Sequence, residues 1–154
     1  MKERVKGWLA AFAYRLIVLC TFGQISPILG TGVIVEREGK ILCIERSDGR
    51  GYGLPGGIVR SKETVEQCVL RETYEETGYR VQITGLVGIY SSHGRDSRFR
   101  SVSITYKGTV LSGSLHSSGE GRPCWQAPAD IFGRMAFDNE TMVKDFLSGH
   151  LRLF

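Results

Sequence analysis

One helix of this chain has both of its ends marked by residues in the sequence. Thr64 can cap the first turn, and Gln67, three residues later, completes a capping box. Gly78 supplies the stop, because glycine readily adopts the left-handed conformation that ends a helix. These signals predict a helix over residues 65–77. The Pro55-Gly56-Gly57 sequence ahead of it predicts a tight turn.

Strand-like runs lie on both sides of this helix. Residues 32–38 (GVIVERE) and 40–45 (KILCIE) are separated by a glycine turn, which predicts a hairpin. Three further strands and a second helix are expected later in the chain, at residues 81–90, 101–110, 124–127 and 140–148. These elements do not alternate as repeated β-α-β units, so the sequence predicts an α+β fold.

The N-terminal segment requires an interpretation of its own. Residues 8–22 are strongly apolar and follow three basic side chains, as in a signal peptide or a membrane anchor. The run is shorter than the roughly 20 apolar residues that a spanning helix needs, and Arg15 in its middle would be costly in lipid. We therefore expect a helical extension over residues 1–27. It would pack on the domain formed by residues 28–154 or on a second subunit rather than attach to a membrane surface, and the second option predicts a homodimer.

The composition narrows the class of protein. With 154 residues, of which 42% are hydrophobic and 23% charged, the chain can bury a core without disulfides. Its four cysteines form no Cys-x-x-Cys pair, so a reduced, cytoplasmic protein is expected. The formal net charge of +4 favours anionic partners. There is no basic stripe with interleaved aromatic residues, so a nucleic-acid partner is not expected.

The helix predicted over residues 65–77 also carries the residues that say most about chemistry. Glu72, Glu75 and Glu76 stand at positions i, i+3 and i+4, so they share one helical face. Apolar residues lie on roughly the same side, and the carboxylates are therefore expected to point toward the sheet. Three anionic groups this close repel one another unless cations neutralise them, and Mg²⁺ prefers oxygen ligands of this kind. The spacing alone leaves a solvated acidic helix face as the alternative.

These residues belong to a longer pattern through which the chain resembles the Nudix hydrolase family. The pattern is the Nudix box, and its fixed positions are Gly57, Glu63, Arg71, Glu72, Glu75, Glu76 and Gly78. Thr73 and Tyr79 stand where the family usually has an aliphatic residue. The resemblance implies an α/β/α sandwich with a mixed sheet, in which the box forms a loop, a helix and a loop. It also implies Mg²⁺-dependent cleavage of a diphosphate linkage in a nucleoside diphosphate derivative.

The resemblance also implies roles for the residues of the box. The three glutamates of the helix would ligate Mg²⁺, for which Mn²⁺ can substitute, with the Gly57 carbonyl completing the site. Glu63 would orient Arg71 rather than act on the substrate. The metal would neutralise phosphate charge and lower the pKa of an attacking water.

The sequence does not decide which residue is the general base. Glu75 and Glu76 are two candidates within the helix. Glu120, a loop residue shortly before Trp125, resembles the base of MutT-like members of the family. An exposed loop acid with no role in catalysis is the alternative interpretation of Glu120.

The segment after the box is similar to that of ADP-ribose pyrophosphatase-like members. It contains Arg95, Arg98 and Arg100, which are predicted to hold phosphate oxygens bidentately; the alternative is a solubilising loop. Aromatic residues predicted to stack on a base are Tyr90, Phe99 and Trp125.

The first hypothesis for the substrate is therefore ADP-ribose or a related nucleotide sugar. The position of Glu120 favours a rival, a MutT-like nucleoside triphosphate pyrophosphatase. A non-catalytic nucleotide sensor is a third hypothesis, although none of the box glutamates has been lost. All three predict a small nucleotide as the partner.

Overall fold

A computed structural model describes residues 2–24, 26–96, 99–117, 119 and 121–153, without the side chains of residues 2–7 and 10. The helices and strands follow in this order: α1 (Lys2–Cys20), β1 (Ile28–Arg37), β2 (Lys40–Arg46), β3 (Tyr52–Gly53), β4 (Gly56–Ile58), α2 (Val65–Thr77), β5 (Tyr79–Tyr90), β6 (Ser101–Gly113), β7 (Gly121–Gln126), α3 (Pro128–Ile131) and α4 (Asn139–Ser148). The predicted α+β class is confirmed.

A mixed sheet of seven strands forms the centre of the described part of the chain. Its main order is β3-β2-β1-β6-β5, with β4 paired to β1 and β7 paired to β2. Strands β1 and β6 are parallel, whereas the other pairs are antiparallel. The predicted β1–β2 hairpin is present. Its turn residues Glu38 and Gly39 both have positive φ, of 54° and 73°, as in the type I′ turns that match strand twist.

Helices cover both faces of this sheet. Successive side chains of a strand point to opposite faces, so Val33 and Val35 of β1 pack on the side of Val69 from α2. Ile34, which lies between them, packs on the other side with Met142 and Val143 of α4. The result is a sandwich in which α2 and α4 enclose the sheet.

Helix α2 begins and ends where the sequence predicts. The Thr64 hydroxyl oxygen accepts a hydrogen bond from the Gln67 backbone N–H at 3.2 Å, and Gln67 Oε1 accepts one from the Thr64 N–H at 2.9 Å. Gly78 closes the helix with φ 79°. Thr73, one of the two unusual box residues, is fully buried, and its hydroxyl donates to the Val69 carbonyl at 2.6 Å. Its effect is therefore on packing.

Three short elements, β3, β4 and α3, were not expected from the sequence. Each has two to four residues and therefore shows no hydrophobic periodicity. All four cysteines are free. None of the described helices is long and apolar enough to cross a membrane.

Candidate active site

The turn before α2 lies flat against the backbone of β1. Gly56 has φ 154°, and a Cβ there would lie 2.1 Å from the Thr31 carbonyl oxygen, so only glycine fits. Gly56 and Gly57 pair with Gly32 and Thr31 in the sheet. Because neither glycine has a side chain, the backbone of this turn is open to direct contact with neighbouring groups.

Two glutamates of the box approach this turn. Glu76 is only 8% exposed, and its Oε2 accepts a hydrogen bond from the Gly56 N–H at 2.9 Å. Glu72 lies against Gly57, because a Cβ at position 57 would be 2.6 Å from the carboxyl carbon of Glu72. The carboxyl groups of Glu72 and Glu76 are thus both held beside the glycine turn.

Glu75 is oriented differently. Its side chain is 49% exposed, and its Oε2 lies 3.1 Å from Arg71 Nη1 and 3.9 Å from Arg60 Nη2. The expectation that all three carboxylates point toward the sheet needs correction for this residue. The buried side of α2 runs through Val69, Thr73 and Glu76, and one residue of helix rotation turns Glu75 toward solvent.

Arg71 connects the acidic side chains of the box. Its Nε and Nη2 donate to the two carboxylate oxygens of Glu63, at 2.9 Å and 2.7 Å. Its Nη1 donates to Glu72 Oε1 at 2.6 Å and to Glu75 Oε2 at 3.1 Å. Hydrogen bonding to Arg71 lowers the pKa of Glu63 to about 2, and the same bonds raise the pKa of Arg71. Arg71 is therefore the counterion of the acidic face.

The donor set beside the turn suits a hard divalent cation. Glu72 and Glu76 offer carboxylate oxygens and Gly57 offers a backbone carbonyl, and these are the ligands that Mg²⁺ prefers. Within the ranges that the structure describes, however, no three acidic, His or Cys side chains are gathered into a metal-binding group. Arg71 is hydrogen-bonded to two of the three glutamates of α2, Glu72 and Glu75.

A cavity of about 200 Å³ opens beside these groups. Gly56, Gly57 and Glu76 form part of its wall, so the cavity reaches the acidic side of α2. The residues just before and at the start of α4 form another part, with Phe137, Asp138 and Asn139. A ligand in this cavity would contact both the glycine turn and an aromatic side chain.

The predicted phosphate-binding arginines have separate environments. Arg95 lines the cavity but is 8% exposed, and it pairs with both carboxylate oxygens of Asp138 and donates to the Tyr90 carbonyl at 2.8 Å. Arg100 is absent from the cavity wall, and its Nη1 is buried without a hydrogen-bond partner. Arg98 lies outside the described residues, as does Glu120, the loop candidate for the general base.

The aromatic residues proposed to stack on a base are also separated. Phe99 lines the cavity. Tyr90 does not, because it is buried in the core, where its hydroxyl donates to Asp145 Oδ2 at 3.0 Å. Trp125 packs against Tyr79, with ring centroids 6.0 Å apart, away from the cavity. The expectation for Tyr90 and Trp125 is therefore corrected.

Phe137 and Arg46 both line the cavity, although no binding role was predicted for either from the sequence. Phe137 has φ 56°, a strained conformation for an aromatic residue. The Arg46 guanidinium carbon lies 5.4 Å from the centroid of its ring. Residues 136–139 (AFDN) show no periodic pattern that would mark Phe137 as a binding residue. The loop before α4 comes next to the end of β2 only in the tertiary structure.

Comparisons with known proteins agree with this geometry. A family model described as "NUDIX domain" matches residues 27–146. An ADP-ribose pyrophosphatase of Methanocaldococcus jannaschii is 35% identical over 126 residues, which cover 80% of this chain and 75% of that protein. A MutT-like protein of Streptomyces ambofaciens is 34% identical over 119 residues, which cover 77% of this chain and 75% of its own length.

The fold itself is shared with solved structures. A NUDIX hydrolase from Nitrosomonas europaea superposes with a TM-score of 0.72 at 22% identity, and the match covers 80% of this chain and 90% of the other. The predicted sandwich is thereby confirmed.

Proposed function

This chain belongs to the NUDIX family and is a hydrolase of pyrophosphate bonds, and we propose that its substrate is ADP-ribose or a closely related nucleotide sugar. Water would attack one phosphorus of the diphosphate, and the bond from that phosphorus to the bridging oxygen would break. The products from ADP-ribose would be AMP and ribose 5-phosphate. The 35% identity to a protein named ADP-ribose pyrophosphatase supports this choice.

The observation that carries the substrate proposal is the charge of the cavity wall. Arg46 and Arg95 both line the cavity, and each is paired with a carboxylate, from Asp48 and Asp138 respectively. Among the described residues of the wall, each basic side chain is thus neutralised by an acidic partner. A nucleoside triphosphate carries a longer anionic tail than ADP-ribose and needs more positive charge that is not neutralised. The carboxylate of Asp138 is instead suited to accept hydrogen bonds from sugar hydroxyls.

We propose that Glu72 and Glu76, with the Gly57 carbonyl, form the core of a Mg²⁺ site, which Mn²⁺ can also occupy. Glu75 lies one helix position away and would join as a ligand from the solvent side. A bound divalent ion would supply charge neutralisation at the phosphates and a lower pKa for a water molecule. Arg71 would fix the direction of Glu72 and Glu75, and Glu63 would fix Arg71, because its carboxylate accepts two hydrogen bonds from the guanidinium.

The identity of the general base stays a prediction. Glu76 is held by the Gly56 N–H, which suits a fixed metal ligand better than a group that takes up a proton. Glu75 is more exposed and is therefore accessible to a water molecule from solvent. Glu120 would act from the loop before β7. Comparing the pH profiles of kcat for the Glu75→Gln and Glu120→Gln variants would distinguish these two residues.

The second candidate function is pyrophosphohydrolysis of nucleoside triphosphates. It is supported by the relative named MutT-like protein, whose identity to this chain is nearly as high. Asn139, whose side chain lines the cavity next to Asp138, offers a donor and an acceptor that suit the edge of a base. A nucleotide sensor without activity is disfavoured, because every glutamate of the box is present.

A substrate panel tests the proposal. ADP-ribose, other nucleotide sugars, dinucleoside polyphosphates and the common NTPs would each be incubated with the protein and Mg²⁺, and the nucleotide products separated by chromatography. We expect the highest kcat/KM for ADP-ribose, activity that rises toward alkaline pH, and complete loss in EDTA. Turnover of NTPs alone would replace the first function with the second.

Three further expectations from the sequence keep their status as proposals. The cytoplasm is the compartment that the unpaired cysteines favour. The homodimer and the boundary between an extension of residues 1–27 and a domain of residues 28–154 also stay predictions.

A further inference from the structure

Among the side chains of α1 that the structure describes, the partly buried ones lie on one side of the helix. Its partly buried residues include Ala11, Tyr14 and Val18, which recur at the spacing of one helical face. Tyr14 makes the main contacts: its hydroxyl is 2.7 Å from Ser26 Oγ, and its ring centroid is 5.7 Å from that of Phe99. The side of α1 that carries Tyr14 therefore already has its contacts within the same chain.

The opposite side of α1 is apolar and open to solvent. Trp8, Phe12, Leu16 and Leu19 follow one another at intervals of four, four and three residues, which aligns them in a single stripe. All four are exposed, with Trp8 at 66% and Leu19 at 74%. We refer to these four residues as the outer stripe. Large exposed apolar side chains grouped in this way are typical of a surface that binds a membrane or another protein.

The net positive charge of the protein is concentrated in the same helix. Of its 20 basic and 16 acidic residues, α1 contains four basic ones and a single acid, Glu3. The remainder of the chain is nearly balanced. The basic residues are Lys2, Arg4, Lys6 and Arg15. From the sequence alone the positive charge was associated with anionic partners in general, but most of the excess belongs to the helix with the exposed apolar stripe.

We propose that the outer stripe of α1 binds to the surface of an anionic phospholipid bilayer. An exposed apolar stripe with Trp and Phe, flanked by basic residues, suits a helix that lies in the plane of the lipid headgroups. Negative headgroups attract the excess positive charge of α1. A second copy of the chain would bring a second positively charged helix next to the first, so charge complementarity favours lipid over self-association. The helix lies on the bilayer and leaves the remainder of the protein in water.

Vesicle binding tests this inference directly on the full chain. The protein would be sedimented with vesicles of phosphatidylglycerol and phosphatidylcholine in equal amounts, and with vesicles of phosphatidylcholine alone. We expect binding to the anionic vesicles that weakens about tenfold or more without phosphatidylglycerol, and weakens again at high salt. The fluorescence of Trp8, measured in a Trp125→Phe background, should shift to shorter wavelength on binding.

Matched variants assign the binding to the stripe. Leu19→Glu should reduce vesicle binding at least tenfold, whereas Leu111→Glu, at a 63% exposed leucine on β6, should leave it unchanged. Arg15→Glu should weaken binding to anionic vesicles, whereas Lys40→Glu, at the exposed first residue of β2, should not. Unchanged circular dichroism spectra and melting temperatures would show that the four variants are folded.

Two results would overturn the inference. The first is equal, weak binding to both kinds of vesicle. The second is a stable dimer, seen by light scattering in the absence of lipid, that Leu19→Glu converts to a monomer, since a second copy would then cover the stripe. Neither result bears on hydrolysis, which is measured without vesicles.

Discussion

Gly57 and Glu72 are in direct contact. A Cβ at position 57 would lie 2.6 Å from both the carboxyl carbon and Oε1 of Glu72. The lack of a side chain at Gly57 is thus what allows the Glu72 carboxylate to lie against this residue.

We predict that Gly57→Ala impairs metal use while the protein stays folded. Gly57 does not need a positive φ, so its backbone tolerates alanine, but the new methyl group displaces Glu72. The Mg²⁺ concentration for half-maximal rate should rise about 10- to 100-fold, as measured by a metal titration at saturating ADP-ribose. An unchanged Mg²⁺ dependence would show that Glu72 does not ligate metal from this position.

A second prediction concerns acid stability. The pKa of Glu63 falls from an ordinary value near 4.5 to about 2 in the folded protein, chiefly through hydrogen bonds from Arg71. A depressed carboxyl pKa stabilises the fold fully above the unfolded value, and this contribution is lost as the pH falls from about 4.5 to 2. Urea unfolding should show that Glu63→Gln is less stable than wild type at pH 6, and that the difference shrinks across this window. Glu38→Gln, at an exposed turn residue, is the control. A difference that does not depend on pH would contradict the ion pair.

A third prediction separates strain from binding at Phe137. Phe137→Gly relieves the left-handed backbone conformation, so the melting temperature should stay the same or rise. Loss of the ring removes a surface for stacking on the base, and KM for ADP-ribose should rise about tenfold. Phe22→Gly is the matched control, because Phe22 also has positive φ, of 51°, and is exposed away from the cavity. A KM that changes equally in both variants would remove Phe137 from the substrate site.

The parts of the fold with local causes were predictable from the sequence. Helix α2 could be bounded because Thr64, Gln67 and Gly78 act within one turn of its ends. The hairpin between β1 and β2 was equally accessible, since two adjacent residues form its turn. The acidic spacing of α2 likewise depends only on helical geometry, although Glu75 shows that spacing does not fix which side chains face inward.

The walls of the cavity were much less predictable, because they depend on contacts between distant residues. Arg95 was expected to meet phosphate, but its guanidinium is engaged by Asp138, which lies 43 positions further along the chain. Tyr90 was a candidate for stacking until packing against α4 buried it. Phe137 and Arg46 meet only through the tertiary fold. Pairing across such separations leaves no trace in local pattern.

We propose that ADP-ribose is hydrolysed at a metal site built on Glu76. The most direct measurement is the initial rate of AMP release from ADP-ribose in Mg²⁺, for wild type, Glu76→Gln and Glu66→Gln. Glu66 is an exposed residue on the same helix, hydrogen-bonded to the Tyr106 hydroxyl. We predict that Glu76→Gln loses activity on the order of 100-fold or more, because a neutral amide is a poor ligand for Mg²⁺, while Glu66→Gln keeps the wild-type rate. A near wild-type rate for folded Glu76→Gln would rule out this metal site, and no AMP release by the wild type would rule out ADP-ribose as the substrate.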